Sequence, residues 1–149
     1  MATERTLVLC KPDAVQRSLV GAIIARFERK GLKLVGLKML QIDENLANRH
    51  YAEHLEKSFY PDLRAFITSS PVIAMAIEGE NAVDVVRGLI GATNPQVAAS
   101  GTIRGDFGLD LTMNLVHGSD SLVSAERELA LFFTRDDSHD YELTMKVWT

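Results

Sequence analysis

Few residues in this chain combine a reactive side chain with a telling context, and His117 leads them. It lies in Asn114-Leu115-Val116-His117-Gly118-Ser119-Asp120-Ser121. A short apolar run brings the histidine to an edge, and Gly-Ser-Asp-Ser then supplies a tight turn and a helix cap. Histidine's ordinary pKa, about 6.5, leaves a neutral ring nitrogen near pH 7. A helix start offers free N–H groups and the positive end of a dipole, which favour an anion. A nucleophilic nitrogen beside such a start can receive a phosphoryl group. Three cations suit the same chemistry. Lys11 follows the apolar run 6–10, Arg87 borders the buried stripe of a helix, and Arg104 sits in a glycine-rich segment. Arginine presents a fixed fork of donors to phosphate oxygens, and lysine a point charge. Phosphoryl transfer asks mainly for alignment and charge compensation, with roughly 3 kcal/mol from each well-placed donor. The chain has neither G-x-x-x-x-G-K-[ST] nor G-x-G-x-x-G. Side-chain cations must therefore replace a glycine cradle.

Two other signals compete. His50-Tyr51-Ala52-Glu53-His54 matches H-x-x-E-H, in which histidines four apart on a helix share zinc and the glutamate activates water. No third ligand stands out. Phe59 and Tyr60 fall at the corner of an expected helical hairpin, where an aromatic ring can stack a flat ligand for about 1–3 kcal/mol per base. Core packing accounts for such rings equally well.

The elements that must position these groups follow from apolar periodicity. Residues 6–10 read as a strand buried on both faces, stopped by Pro12. Val20, Ile23, Ile24 and Phe27 form one helical face, closed by Gly31. Residues 32–42 are a second strand with a bulge near Val35-Gly36. Helices are expected over 46–56, capped by Asp43 or Asn45, and around Leu63, Phe66 and Ile67. Residues 71–78 are a third strand and 82–90 a helix ended by Gly91. The segment 92–113 lacks periodicity, and such long connections are usually functional or disordered. A short strand, 115–117, and a helix, 122–133, follow. Leu122, Ala125, Leu129, Phe132 and Phe133 share one face of that helix. The order reduces to β-α-β-β-α-β, a sheet with helices on one face.

Composition narrows the function classes. At 149 residues one domain, 1–149, is expected. Net charge is −4, with 16 basic against 20 acidic residues, so general nucleic-acid binding is not expected. No apolar run reaches the roughly 20 residues of a membrane span. The N-terminus lacks the long apolar core of a signal peptide, and Cys10, the single cysteine, rules out an internal disulfide. A cytoplasmic protein is expected.

Four motifs in order closely resemble the nucleoside diphosphate kinase family. They are Lys11-Pro12-Asp13-Ala14-Val15-Gln16-Arg17, Gly91-Ala92-Thr93-Asn94-Pro95, Gly101-Thr102-Ile103-Arg104-Gly105-Asp106 and the His117 octapeptide. The likeness runs over about 4–133. It implies an α+β, ferredoxin-like fold with a four-stranded antiparallel sheet, and a homo-oligomer, a hexamer in preference to a tetramer. It implies transfer of the γ-phosphoryl of a nucleoside triphosphate, typically ATP, to a nucleoside diphosphate, with broad base tolerance. His117 is the implied nucleophile, through Nδ1, in ping-pong catalysis. Glu128 matches the carboxylate that orients the imidazole, although spacing alone does not prefer it to Glu126. Lys11, Arg87, Thr93 and Arg104 match phosphate-binding groups, and Lys11 and Asn114 contacts to the sugar 3′-hydroxyl. Phe59 matches the base-stacking residue and Tyr51 a tyrosine near the histidine. Mg²⁺ is implied on the nucleotide phosphates and not in a protein cage. The chain departs from the family at Lys57-Ser58-Phe59, where a proline usually precedes the phenylalanine. The tail 135–149 has no firm match. Alternation of Tyr141, Leu143, Met145 and Val147 suggests an extended arm that packs on a neighbouring subunit or stays exposed.

Overall fold

The structure is a computed structural model that describes residues 2–149. Its frame is one four-stranded sheet in the order β2-β3-β1-β4, formed by β1 (Thr3–Cys10), β2 (Lys33–Leu40), β3 (Val72–Glu80) and β4 (Val116–Gly118). Every neighbouring pair is antiparallel. With the helices packed on it, this is the ferredoxin-like α+β architecture. The expected bulge in β2 is present as a register shift between Leu34 and Gly36.

The helices lie on both faces, not on one. Alternation along the central strands decides this. Val8 and Cys10 in β1 and Ile73, Met75 and Ile77 in β3 pack with Ile23, Phe27, Val86 and Ile90. These come from α2 (Val20–Lys30) and α5 (Ala82–Ile90). The opposite side chains, Leu7, Leu9, Val72 and Ala74, pack with Ala47, Tyr51, Tyr60, Ile67 and Phe132. Continuous apolar strands need cover on both sides. Each fully buried large aliphatic or aromatic side chain stabilises by roughly 1.5–3 kcal/mol. The second layer consists of α3 (Glu44–His50), α4 (Tyr60–Ile67) and α7 (Leu122–Phe132).

Several expected boundaries move. Pro12 does more than stop the strand: it opens a five-residue helix, α1 (Pro12–Gln16), because its fixed φ suits a first helical turn. The segment 92–113 contains α6 (Ile103–Phe107), capped by Thr102, whose side chain accepts from the Gly105 N–H. The helix expected over 46–56 stops at His50, with Asp43 as its cap, and a 3₁₀ turn, Ala52–His54, follows. The two histidines of the H-x-x-E-H pattern therefore do not share a helix face. Leu122 is exposed, whereas Ala125, Glu128 and Phe132 are the buried residues of α7. Gly31 takes φ +102° as the left-handed stop of α2.

The tail is not a β-arm. It makes 3₁₀ turns at Arg135–Asp137 and Thr144–Trp148 and lies against its own β2. His139 N–H donates to Val35 O at 2.7 Å, in the bulge, and Tyr141 Oη donates to Leu34 O. Val147 and Trp148 remain exposed. Among the described residues no helix is long and apolar enough to cross a membrane.

Candidate active site

β4 pairs only with β1, and its register sets His117 opposite Leu9. Cross-strand partners point to the same face, so the imidazole faces the α3–α7 layer. There it meets Glu128, one of the buried residues of α7. His117 Nε2 and Glu128 Oε1 are 2.6 Å apart. A carboxylate only accepts, so Nε2 carries the proton and Nδ1 keeps a lone pair. Ser119 Oγ donates to the same Glu128 oxygen at 2.9 Å, which holds the carboxylate in place. The helix cap itself is Ser121, which accepts from Ser124 N–H. Within Gly-Ser-Asp-Ser, nothing in the sequence distinguishes the inward serine from the capping one.

A cleft of about 380 Å³ opens over this pair. Lys11, Tyr51, Arg87, Thr93, Arg104, Asn114, His117 and Glu128 all line it. Of the site residues that the family resemblance implies, Phe59 alone is outside that lining. It is half-exposed, with its ring 5.6 Å from the His54 ring and the Lys57 ammonium 5.7 Å away. His54 does line the cleft, so Phe59 stands at its border. Tyr60, its neighbour at the corner, is core: it is buried and donates from its hydroxyl to Asn48 Oδ1 at 2.7 Å.

The floor is a ladder of polar contacts. Lys11 Nζ donates to Asn114 Oδ1 at 2.8 Å, and Asn114 Nδ2 to Thr93 O at 3.0 Å. Arg104 donates from Nε to Asn114 O (3.2 Å), from Nη1 to Gly91 O (3.2 Å) and from Nη2 to Val116 O (2.6 Å). Three of an arginine's five N–H donors are thus engaged with backbone, and two remain for a ligand. Burial, and then the Arg87 charge, bring the Arg104 guanidinium down to about 10, so it stays charged at neutral pH. Asp13 was hidden inside the Lys-Pro-Asp motif. Its carboxylate, raised by burial, accepts the Leu115 N–H at 3.0 Å. Leu115 has φ +75°, a conformation that costs a non-glycine residue about 1–3 kcal/mol. The Asp13 contact helps hold it just before β4.

Burial lowers Lys11 to about 8, helped by Arg104 and opposed by Asp13. The ammonium is therefore charged below about pH 8 and neutral above it. Affinity for a phosphate-bearing ligand is expected to fall as pH rises through that value. Measuring the KM of the phosphate-bearing substrate against pH checks this: the wild type loses affinity on the alkaline side and Lys11→Met gives a flat profile. A wild-type profile as flat as the variant's removes Lys11 from phosphate binding.

Tyr51 and His50 complete the wall. Burial first, and Glu128 second, raise the Tyr51 phenol, which keeps it protonated as a donor. Burial, with His117 next, pushes His50 down to about 2, so its ring is neutral. It stands edge-on to the His117 ring at 4.7 Å. Arg127 Nη1 donates to Arg49 O at 3.1 Å, tying α7 to the end of α3. Among the described residues, the one group of three or more potential metal ligands with converging atoms is His50, His117 and Glu128. Glu53 and His54 are not part of it, and His54 Nδ1 instead meets Lys57 Nζ at 2.9 Å. The ligand convergence that the H-x-x-E-H reading requires of His50, Glu53 and His54 is not present among the described residues.

A family model described as nucleoside diphosphate kinase matches residues 4–138. The chain belongs to the nucleoside diphosphate kinase family. The nucleoside diphosphate kinase of Archaeoglobus fulgidus is 59% identical over 145 residues, covering 97% of this chain and 96% of that protein. The Staphylococcus epidermidis protein of the same name is 57% identical over 145 residues, with 97% of each covered. Among solved structures, a halophilic nucleoside diphosphate kinase from Halobacterium salinarum in complex with CDP superposes with a TM-score of 0.96. It is 54% identical, over 99% of this chain and 98% of that one. A nucleoside diphosphate kinase family protein from Babesia bovis gives 0.95 at 45% identity, covering 97% and 98%. The family match reaches slightly past the 4–133 span carried by the motifs and leaves 139–149 outside.

Proposed function

We propose that this chain is a nucleoside diphosphate kinase in which His117 carries the phosphoryl group. The supporting observation is the His117–Glu128 contact at 2.6 Å. It ties up Nε2 and leaves Nδ1 as the available nucleophile, in a cleft lined by Lys11, Arg87 and Arg104. The Nδ1 lone pair attacks the γ-phosphorus of a nucleoside triphosphate. The bond from that phosphorus to the β-phosphate oxygen breaks, and the diphosphate leaves with the electron pair. A terminal oxygen of an incoming nucleoside diphosphate then attacks the same phosphorus, and the N–P bond breaks. Lys11, Arg87, Thr93 and Arg104 compensate charge on the phosphates. Lys11 and Asn114 orient the sugar 3′-hydroxyl, and Tyr51 donates near the nucleophile. The test uses γ-labelled ATP. Acid-labile, base-stable label forms on the protein and leaves on addition of an unlabelled diphosphate. Label that persists after that addition sinks the two-step reading.

The donor set fits Mg²⁺ held on the nucleotide. Magnesium wants six oxygen ligands in near-octahedral geometry. The acids lining the cleft are Glu53, Asp120 and Glu128, and Glu128 is engaged by His117 and Ser119. The ion would neutralise phosphate charge, held through the nucleotide's own oxygens.

Phe59 stacks on the base from the border of the cleft. A base held by stacking, with few directional bonds, is not identified, and broad base tolerance follows. Phe59→Ala is expected to raise nucleotide KM about five- to tenfold, equivalent to roughly 1 kcal/mol, and to leave kcat unchanged. Steady-state kinetics with two different bases checks both parts. An unaltered KM excludes the ring from binding.

We further propose a homo-oligomer, with a hexamer favoured over a tetramer. Two exposed apolar groups support it. One is Leu37 and Met39 on edge strand β2, and the other is Val97, Leu109, Leu111 and Met113 in the segment 92–113. Light scattering that returns the mass of a monomer removes this part. Both core clusters share the one sheet, which supports reading 1–149 as one domain. Cys10 is buried, with its thiol pushed up to about 12. An inert lone thiol of this kind supports a cytoplasmic site of action.

A further inference from the structure

Both ring nitrogens of His50 are buried and have no hydrogen-bond partner among the described residues. Leaving a buried polar group unsatisfied costs about 1–3 kcal/mol, and such groups call for an explanation in a native fold. The phosphoryl-transfer chemistry gives His50 no task. Its surroundings suggest one. Ligand atoms of His50, His117 and Glu128 all lie within 4.8 Å of one another. Tyr51 and Phe132 pack edge-on against the His50 ring, at 4.5 and 5.2 Å between centroids, and limit the directions it can take.

We propose that His50, His117 and Glu128 form a binding site for one divalent cation of the zinc class, which withdraws His117 from phosphoryl transfer while it is bound. Two imidazoles and one carboxylate, with a fourth position open, are a ligand set that zinc accepts. Donor atoms on a tetrahedral zinc stand roughly 3.3 Å apart, from bonds of about 2.0–2.1 Å. Closing the cluster from its present spread needs side-chain shifts of roughly 1.5 Å. The site selects by softness. Imidazole suits Zn²⁺ and Co²⁺, whereas Mg²⁺ prefers oxygen ligands and keeps its water. Magnesium delivered on nucleotide phosphates does not compete for it. Lys11, Arg87, Arg104 and Arg127 line the same cleft and repel a second positive ion. The affinity expected is therefore on the order of micromolar, weaker than that of a structural zinc site. At that strength the metal acts as a reversible inhibitor.

The site differs from the H-x-x-E-H reading: it takes His50 but neither Glu53 nor His54. It also stands apart from the phosphoryl-transfer proposal, because metal binding is measured without nucleotide. Titrating the whole chain with Zn²⁺ in millimolar Mg²⁺ should give one site per chain. His50→Phe, which keeps a ring against Tyr51 and Phe132, and His50→Gln should each weaken it at least about tenfold. His54→Ala should leave it unchanged. A measurement on the unaltered protein guards against misfolded variants. Paramagnetic Co²⁺ should broaden the ring protons of His50 and His117 before those of His54. Zinc binding that persists at full strength in either folded His50 variant, that is lost in His54→Ala, or that broadens His54 first overturns the proposal. So does the absence of binding over Mg²⁺.

Discussion

Replacing His117 with alanine is expected to abolish both the acid-labile label and the turnover. The loss should reach about 10⁴-fold or more, the scale seen when a covalent nucleophile is removed from a group of residues that act as a unit. No neighbour can take over. His50 is the nearest imidazole, but it is buried against Tyr51 and Phe132. His54 is turned toward Lys57. Stability should change little, because the His117 side chain is partly exposed and the buried Glu128 carboxylate keeps Ser119 Oγ at 2.9 Å and Arg127 Nη2 at 3.6 Å. The measurement pairs label incorporation with thermal unfolding. Label surviving in a folded His117→Ala protein removes the mechanism, whereas a loss of label accompanied by unfolding does not count for it.

Arg104→Ala is expected to damage fold and activity together, in contrast to an arginine that only meets a ligand. Its three backbone contacts hold Gly91, Asn114 and Val116, which flank the loop, the floor and β4. Removing the guanidinium strands the carbonyls of Gly91 and Val116, the second in a buried contact, while Asn114 O keeps the Val116 N–H at 2.9 Å. At about 1–3 kcal/mol for each unsatisfied group, the loss should be at least about 2 kcal/mol, read by denaturant unfolding with an unchanged m-value. Activity should fall by about 10²-fold or more, since the stranded carbonyls and a shifted Asn114 compound the lost positive charge. An Arg104→Ala protein with wild-type stability would show that the arginine serves the ligand alone. One with wild-type activity would remove it from the site.

The sequence showed part of this arrangement well. α2 and α5 were legible because nine or more residues give an apolar stripe time to repeat. The bulge near Val35-Gly36 was legible as a break in alternation. α1 and α6, at five residues each, are too short for any period to register, and caps or a proline are their only marks. The end of α3 at His50 was hidden because Tyr51-Ala52-Glu53-His54 continues to look helical while the chain tightens into a 3₁₀ turn. The second helical layer was implied by strands apolar on both sides, yet connection order alone suggested one covered face. At the site, residue type identified the cations and the histidine. What it could not convey is that Arg104 is first a tie for backbone, that Ser119 and not Ser121 turns inward, or that Asp13 steadies Leu115. Each of these depends on partners about 9–100 residues away along the chain, beyond the reach of any local pattern.

β4 is three residues long and bonded to one neighbouring strand; Arg104 holds its Val116 carbonyl, and the residues just before it are seated by residues 11 and 13, about a hundred positions upstream. Such closures form late and cannot be kept by a fragment. The amides of 116–118 should therefore exchange with deuterium at the rate of whole-molecule opening, and not at the faster rate typical of so short a strand at a sheet margin. Catalytic competence and native cooperativity then disappear in the same transition, so no partly folded species can retain enzymatic function.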